Sequence, residues 1–149
     1  MKVRDGMTPD PVCCLATDSA QKVAGILCKQ DVGAIPVVSD HESRKLIGII
    51  TDRDLCCSVV AAGLDPQTTT IEKFVSRNPV ACREGANMDD CERLMQERQV
   101  RRIPIVDEDG RVIGIVSQAD LALKDKPENV ARTVAEVSRR QSAGPVAAA

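Results

Sequence analysis

GIITDRDL, residues 48–55, returns as GIVSQADL, residues 114–121, with glycine, hydroxyl, aspartate and leucine at the same spacing. A segment written twice points to an internal repeat, and the surrounding sequence agrees. AIPVV (Ala34–Val38) falls on RIPIV (Arg102–Val106) at an offset of 68 residues, and DPVCC from Asp10 falls on NPVAC from Asn78 at the same offset. The loop after the first of these strands is two residues longer than its counterpart, SDHESRKLIG against DEDGRVIG. A length change confined to a polar turn is what a structural repeat tolerates. The sequence therefore divides into a first copy (1–65), a second copy (66–124) and a C-terminal helix with a flexible tail (125–149).

Each copy reads as strand, helix, strand, strand, helix, an α/β (α+β) pattern. The first strands are expected at 12–15 and 80–83. Ala20, Val23, Ala24 and Leu27 share one helical stripe in the first copy, as Met88, Cys91, Leu94 and Met95 do in the second. Asp18 and Asn87 are placed as caps of these helices, and Thr70 as the cap of a helical turn over IEKFV, whose apolar residues match VRDGM near the chain start. The β-branched runs AIPVV with KLIGII, and RIPIV with RVIGIV, predict hairpins with one face buried. The second helix of the first copy is expected to run to Gly63, followed by the turn-rich linker DPQTTT. Pro127 opens a short helix with Val130, Val134 and Val137 on one side. The closing QSAGPVAAA is expected to be unstructured.

Composition narrows the function. The 149 residues are 43% hydrophobic and 28% charged, with a net charge of −2, an ordinary globular balance. Phe74 is the single aromatic residue. That leaves no platform on which unpaired bases could stack, and with no basic bias nucleic acid is not an expected partner. No apolar run approaches the roughly 20 residues of a membrane span and the start lacks an apolar signal core, so a cytoplasmic protein without a membrane partner is expected. Seven cysteines, an odd number without a C-x-x-C pair, suggest reduced and buried thiols.

Within the doubled segment, Thr51 and Asp54, like Ser117 and Asp120, have the [ST]-x-x-[DE] spacing of a capping box at a helix start. The same place suits an anionic ligand, because free N–H groups and the positive end of the helix dipole face outward there. The hydroxyl can hold a phosphate, and the aspartate one turn on can accept both hydroxyls of a ribose. Gly48 and Gly114 permit close backbone approach, for a ligand or for packing.

GAIPVV with GIITDRDL, and RRIPIVDEDG with GIVSQADL, resemble the CBS-domain family, named for cystathionine β-synthase, over nearly residues 3–123. The stand-alone two-repeat layout, with AAGLDPQT and QVRRIPI, also looks like bacterial hypoxic response proteins. The resemblance implies a Bateman module: two intertwined repeats about a pseudo-twofold axis, with two ligand clefts where strands of both copies meet. Such modules bind adenine nucleotides or S-adenosylmethionine as regulatory ligands. By resemblance the first cleft takes Thr51, Asp54, the backbone of Ala34, Ile35 and Pro36, and Arg101 and Arg102 from the opposite copy. The second takes Ser117, Asp120, the backbone of Arg102, Ile103 and Pro104, and Arg53. The expected function is non-enzymatic: a regulatory or sensor module for AMP, ATP or S-adenosylmethionine, with no other cofactor and no metal.

With no effector domain in the sequence, the output is expected to pass through a homodimer or an unidentified protein partner. The helical segments at 55–63 and 71–75 are the expected dimer surface. Two alternatives remain open. One is a ligand-free interaction module acting through dimerisation. The other is a thiol or metal protein, for which Cys13–Cys14 and Cys56–Cys57 are adjacent pairs poorly spaced for one metal, and His41 lies in a polar turn. Cys14 and Cys82, at equivalent strand positions, suggest packing. A reactive thiol would be sought at Cys13 or at Cys56–Cys57 beside Arg53.

Overall fold

The computed structural model describes residues 1–139; the segment QSAGPVAAA lies outside the described residues. The elements in chain order are α1 (Val3–Gly6), β1 (Thr8–Pro9), β2 (Cys14–Leu15), α2 (Ala20–Gln30), β3 (Ala34–Val38), β4 (Leu46–Thr51), α3 (Asp52–Leu55), β5 (Ser76–Arg77), β6 (Cys82–Arg83), α4 (Met88–Arg98), β7 (Arg102–Val106), β8 (Val112–Ser117), α5 (Gln118–Lys124) and α6 (Pro127–Ser138). They form two four-stranded sheets, ordered β2-β3-β4-β5 and β1-β8-β7-β6.

The two sheets repeat one plan. β2 runs parallel to β3, with α2 as the crossover; β3 and β4 form an antiparallel hairpin, and β4 pairs antiparallel with β5. β6, β7, β8 and β1 do the same, with α4 as the crossover. Parallel neighbours need such a helical connection, whereas the antiparallel pair needs only a turn.

The chain falls into two compact units that are not the two sequence copies. The first eleven residues belong with the second copy, and residues 12–79 form the other unit. Thus β1, from the start of the first copy, closes the edge of β8, with Thr8 opposite Ile115 and Pro9 opposite Gly114. β5, from the start of the second copy, closes the edge of β4, with Ser76 opposite Ile49 and Arg77 opposite Gly48. This exchange fixes the role of the two glycines. A Cβ at Gly48 would fall on Val75 Cγ1 and 2.8 Å from the Ser76 carbonyl oxygen; one at Gly114 would meet the Met7 side chain and lie 3.2 Å from the Thr8 carbonyl oxygen. Both positions are small so that the exchanged segment can lie against the strand.

Each unit has its own aliphatic core. One gathers Val23, Leu27, Ile35, Ile50, Val59 and Ile71, and the other Met88, Met95, Ile103, Ile105, Val116 and Leu121. β3 is buried along its whole length, so the expectation of one covered face fails for this strand: helices and β-neighbours enclose it on both sides.

Several local expectations are corrected. The opening strands are two residues long, because Asp10 and Asn78 adopt left-handed backbone (φ 48° and 55°) just before the prolines. Asn and Asp tolerate that region, and a following proline disfavours the right-handed one. Ser19 rather than Asp18 caps α2, accepting the Lys22 N–H at 3.1 Å, while Asp18 takes the Leu15 N–H at 2.9 Å and the Lys22 ammonium at 3.0 Å. Asn87 occupies the cap position of α4 but accepts Lys2 Nζ instead of a helix N–H. Thr70 precedes a 3₁₀ turn, Ile71–Lys73, without a side-chain capping bond. The helix after Thr51 turns π-helical over Cys56–Val60, with the Ala61 N–H reaching the Cys56 carbonyl at 2.9 Å. Gly63 then takes φ 69°.

α6 starts at Pro127 as expected, but Thr133, Val137 and half-buried Val130 face the core while Val134 is 40% exposed. The reason is a polar contact. Thr133 Oγ1 donates to Glu92 Oε2 at 2.9 Å and accepts Gln96 Nε2 at 2.9 Å. Glu92 is 4% exposed. Among the described residues no donor faces its Oε1, and the carboxyls of Asp125 and Asp89 bear on it. Two carboxyls hydrogen-bond only when one keeps a proton. Burial first, and then this partnership, push Glu92 up to about 7, while Asp125, accepting from it, is lowered.

Candidate functional site

β4 ends at Thr51 and β8 at Ser117, and at each the chain enters a helix whose first N–H groups need acceptors. Thr51 Oγ1 accepts the Asp54 N–H at 3.1 Å, and Asp54 Oδ2 accepts the Thr51 N–H at 2.9 Å. Ser117 and Asp120 repeat the pair at 3.2 and 2.8 Å. The capping box is therefore present in both copies. Each box stands beside the start of the neighbouring strand. Ala34 lies opposite Thr51 and Arg102 opposite Ser117. The Gly33 carbonyl accepts the Asp52 N–H and the Arg101 carbonyl the Gln118 N–H, each at 3.1 Å.

What the boxes leave unused differs. Among the described residues no donor reaches Oδ1 of Asp54, and the Thr51 hydroxyl proton has no acceptor. The second box is filled. Ser117 donates its hydroxyl to Asp120 Oδ2 at 2.7 Å, Thr8 donates to Asp120 Oδ1 at 2.8 Å, and the Lys124 ammonium stands 3.9 Å away. Thr8 reaches Asp120 because β1 pairs with β8. Its counterpart Ser76, on β5, makes no such bond to Asp54. Sequence reasoning missed Thr8; aligning residues 7–9 with 75–77 at the repeat offset was the available signal.

The other expected site residues divide between the units. Ala34, Ile35, Pro36 and Arg53 lie with Thr51 and Asp54; Arg101, Arg102, Ile103 and Pro104 lie with Ser117 and Asp120. Ala34–Pro36, Ile103 and Pro104 are buried, so they offer backbone; Arg102 is half-buried, and Arg53 and Arg101 are exposed. Pro36 and Pro104 are mid-strand, opposite Ile49 and Ile115, rather than at strand starts. Of the expected dimer surface, Ile71 and Val75 are buried in their own unit, while Val60 is 73% exposed.

A cavity of about 760 Å³ lies in the unit of the second copy, walled by residues of β6 and α4 together with Arg4 and Asp107 and by no residue of either box. Among the described residues no group of three or more His, Cys, Asp or Glu is placed to hold a metal ion, and no helix is long and apolar enough to cross a membrane. Among the cysteines, Cys28 and Cys56 are exposed and Cys14, Cys82 and Cys91 are buried.

Comparison with known proteins places this geometry. Hypoxic response protein 1 of Mycobacterium tuberculosis is 34% identical over 119 residues, 80% of this chain and 81% of that one. A crystal structure of hypoxic response protein I, with two coordinated zinc ions, superimposes with a TM-score of 0.74 at 32% identity, covering 85% of this chain and 100% of that one. The CBS domain pair of MJ0100, crystallised with 5′-methylthioadenosine and S-adenosyl-L-methionine, gives 0.73 at 29% identity, covering 83% and 94%. CBSX2 in complex with AMP gives 0.67 at 25% identity, covering 93% and 98%. The family model for the CBS domain matches residues 3–60 and again 71–125. With two repeats, two matching sheets and a capping box closing each strand end, the chain belongs to the CBS domain family.

Proposed function

We propose that this chain is a non-enzymatic regulatory module that binds an adenosine-containing ligand, AMP, ATP or S-adenosylmethionine, with Thr51 and Asp54 as its principal polar contacts. The observation that carries this is the unused chemistry of the first box. Among the described residues one carboxylate oxygen and one hydroxyl proton stand unpartnered at a strand end where backbone from Ala34 to Pro36 runs alongside. A carboxylate can accept both hydroxyls of a ribose, and a hydroxyl can donate to a phosphate. Support comes from the CBS pairs noted above, crystallised with S-adenosylmethionine or AMP.

Arg101 and Arg102 are proposed to read phosphate, since guanidinium groups bind it with two parallel charge-assisted bonds. The second box, with both groups engaged, is read as a structural cap. The signal is proposed to pass through a homodimer or a partner chain.

The test is direct because the chain has neither Trp nor Tyr. A 260 nm band on the purified protein reveals a carried nucleotide. Calorimetry then compares AMP, ATP and S-adenosylmethionine on wild type, Asp54→Ala, Asp120→Ala and Arg102→Ala. Asp54→Ala is expected to weaken all three at least tenfold, and Arg102→Ala to weaken only AMP and ATP. Combining Arg102→Ala with each aspartate variant shows which carboxylate shares a ligand with the arginine. Unchanged affinities in folded Asp54→Ala overturn the proposal.

A further inference from the structure

The two cores differ at one pair of positions in a way that changes chemistry as well as packing. In the first copy, Cys14 of β2 and Val23 of α2 belong to one apolar cluster. At the repeat offset of 68 residues the same positions hold Cys82 of β6 and Cys91 of α4. These are buried together in the second cluster, 7% and 0% exposed. Where the first copy sets a thiol near valine, the second sets thiol near thiol, with donation from Cys91 toward Cys82 shifting the ionisation of both. Cys82 also forms part of the wall of the 760 Å³ cavity, whereas Cys91 does not. Cys82 thus stands between the cavity wall and the core, and Cys91 is fully buried in that core. Three arginines (Arg4, Arg83 and Arg93) and five carboxylates (Glu84, Asp90, Glu97, Asp107 and Glu108) line that cavity, so its net charge is negative and disfavours anions. A neutral oxidant is not repelled by it.

We propose that Cys82 and Cys91 are a redox site in which a hydroperoxide entering the cavity oxidises Cys82 and Cys91 then closes a reversible disulfide between β6 and α4. The order follows from the sharing of the proton. The bond from Cys91 holds the Cys82 thiol below the ordinary thiol range, while that same bond and burial hold Cys91 far above it. Cys14, with no such donor, is pushed up by burial to about 12. The thiolate is the nucleophile in such chemistry.

The Cys82 sulfur attacks the terminal oxygen of the hydroperoxide. The O–O bond breaks, and the leaving oxygen takes the proton that Cys82 gave up, departing as an alcohol, or as water from hydrogen peroxide. Cys91 sulfur then attacks the Cys82 sulfenic acid; the S–O bond breaks and hydroxide leaves as water with the Cys91 proton. Two thiols and one hydroperoxide give one disulfide, one water and one alcohol or second water. Both sulfurs belong to one buried cluster, and closing the bridge brings them to the roughly 2.05 Å of a disulfide.

The full-length protein is treated with a small excess of hydrogen peroxide, its remaining thiols are alkylated, and it is digested with trypsin. Cleavage after Arg77, Arg83 and Arg93 separates residues 78–83, carrying Cys82, from 84–93, carrying Cys91. The expected product is these two peptides joined, two hydrogens lighter and released by dithiothreitol, with Cys14 still alkylated and oxidised at least tenfold more slowly. Cys91→Val, which restores the first-copy pair, is expected to stop at a sulfenic acid on Cys82, trapped by dimedone. Cys91→Ser provides the same readout should valine disturb the core. The proposal is overturned if both thiols stay alkylatable while exposed Cys28 and Cys56 oxidise, or if Cys82 is recovered joined to any other cysteine.

Discussion

The unit built on the first copy and the unit built on the second share strand order, register and capping boxes, yet they handle polar groups in opposite ways. Around Thr51 and Asp54 the first leaves a carboxylate oxygen without a donor and a hydroxyl proton without an acceptor among the described residues. The second gives Asp120 donors from Thr8 and Ser117 and buries Glu92 against Thr133, where the first copy has Ala24 at the corresponding place in α2. A duplicated framework can thus keep one copy open toward a ligand while the other turns its polar atoms inward. Unsatisfied polar groups are costly unless water or a ligand reaches them, so the open copy is where binding is to be sought.

The widest separation between the units is expected at the glycines. Gly48→Ala presses on the Ser76 backbone, which cannot swing aside, whereas Gly114→Ala presses chiefly on the flexible Met7 side chain. Urea unfolding followed by circular dichroism should show a loss of about 3 kcal/mol for Gly48→Ala and about 1 kcal/mol for Gly114→Ala. Equal losses would mean that both exchanged segments yield alike.

Protonation should mark the second unit alone. Because Glu92 is raised from 4.5 to about 7, the unfolded chain releases this proton first as pH climbs. Stability then falls between about pH 4.5 and 7, by roughly 2–3 kcal/mol. Asp125 works the other way: its lowered carboxyl contributes stability above the ordinary aspartate range that is lost as pH falls further. Glu92→Gln keeps an acceptor for Thr133 and should flatten the curve between pH 4.5 and 7. A slope that survives in that variant would assign the effect to another group.

The boxes themselves should separate next. Asp120→Ala removes the acceptor of three donors and should cost about 2 kcal/mol, against about 1 kcal/mol for Asp54→Ala, which removes the acceptor of one. The smallest contrast lies at the crossover helices. Ser19→Ala should cost about 1 kcal/mol, while Asn87→Ala, which removes no helix-capping bond, should be close to neutral by the same unfolding measurement.

The repeat, the hairpins and both capping boxes were legible because each is written in local spacing: AIPVV against RIPIV, and hydroxyl-x-x-aspartate after a β-branched run. Edge strands β1 and β5 were not, since two residues such as Thr8 and Pro9 carry no period and take their place from a distant partner. The same holds for Thr133, whose inward turn depends on Glu92 across α4 and displaces Val134 from the face that its valine spacing predicts. The caps at Asp18 and Thr70 failed for a related reason, because several polar residues compete locally and tertiary bonds choose among them. At the candidate site, sequence identified Thr51, Asp54, Ser117 and Asp120. It had no means to show that Thr8 would already occupy Asp120.

The exchange of edge strands gives the two units different histories on the ribosome. Once Arg77 has been synthesised, every strand of the sheet β2-β3-β4-β5 exists and that unit can close while the rest of the chain is still being made. The other sheet joins Thr8 to Ile115, so β1 waits unpaired for the last of the described strands. Long-range closure of this kind slows folding and prolongs the exposure of apolar surface. Shortening the first eleven residues, or fusing a bulky partner ahead of Thr8, would therefore strip an edge from β8 and invite strand-to-strand association there. The sheet containing Thr51 would keep all four of its strands.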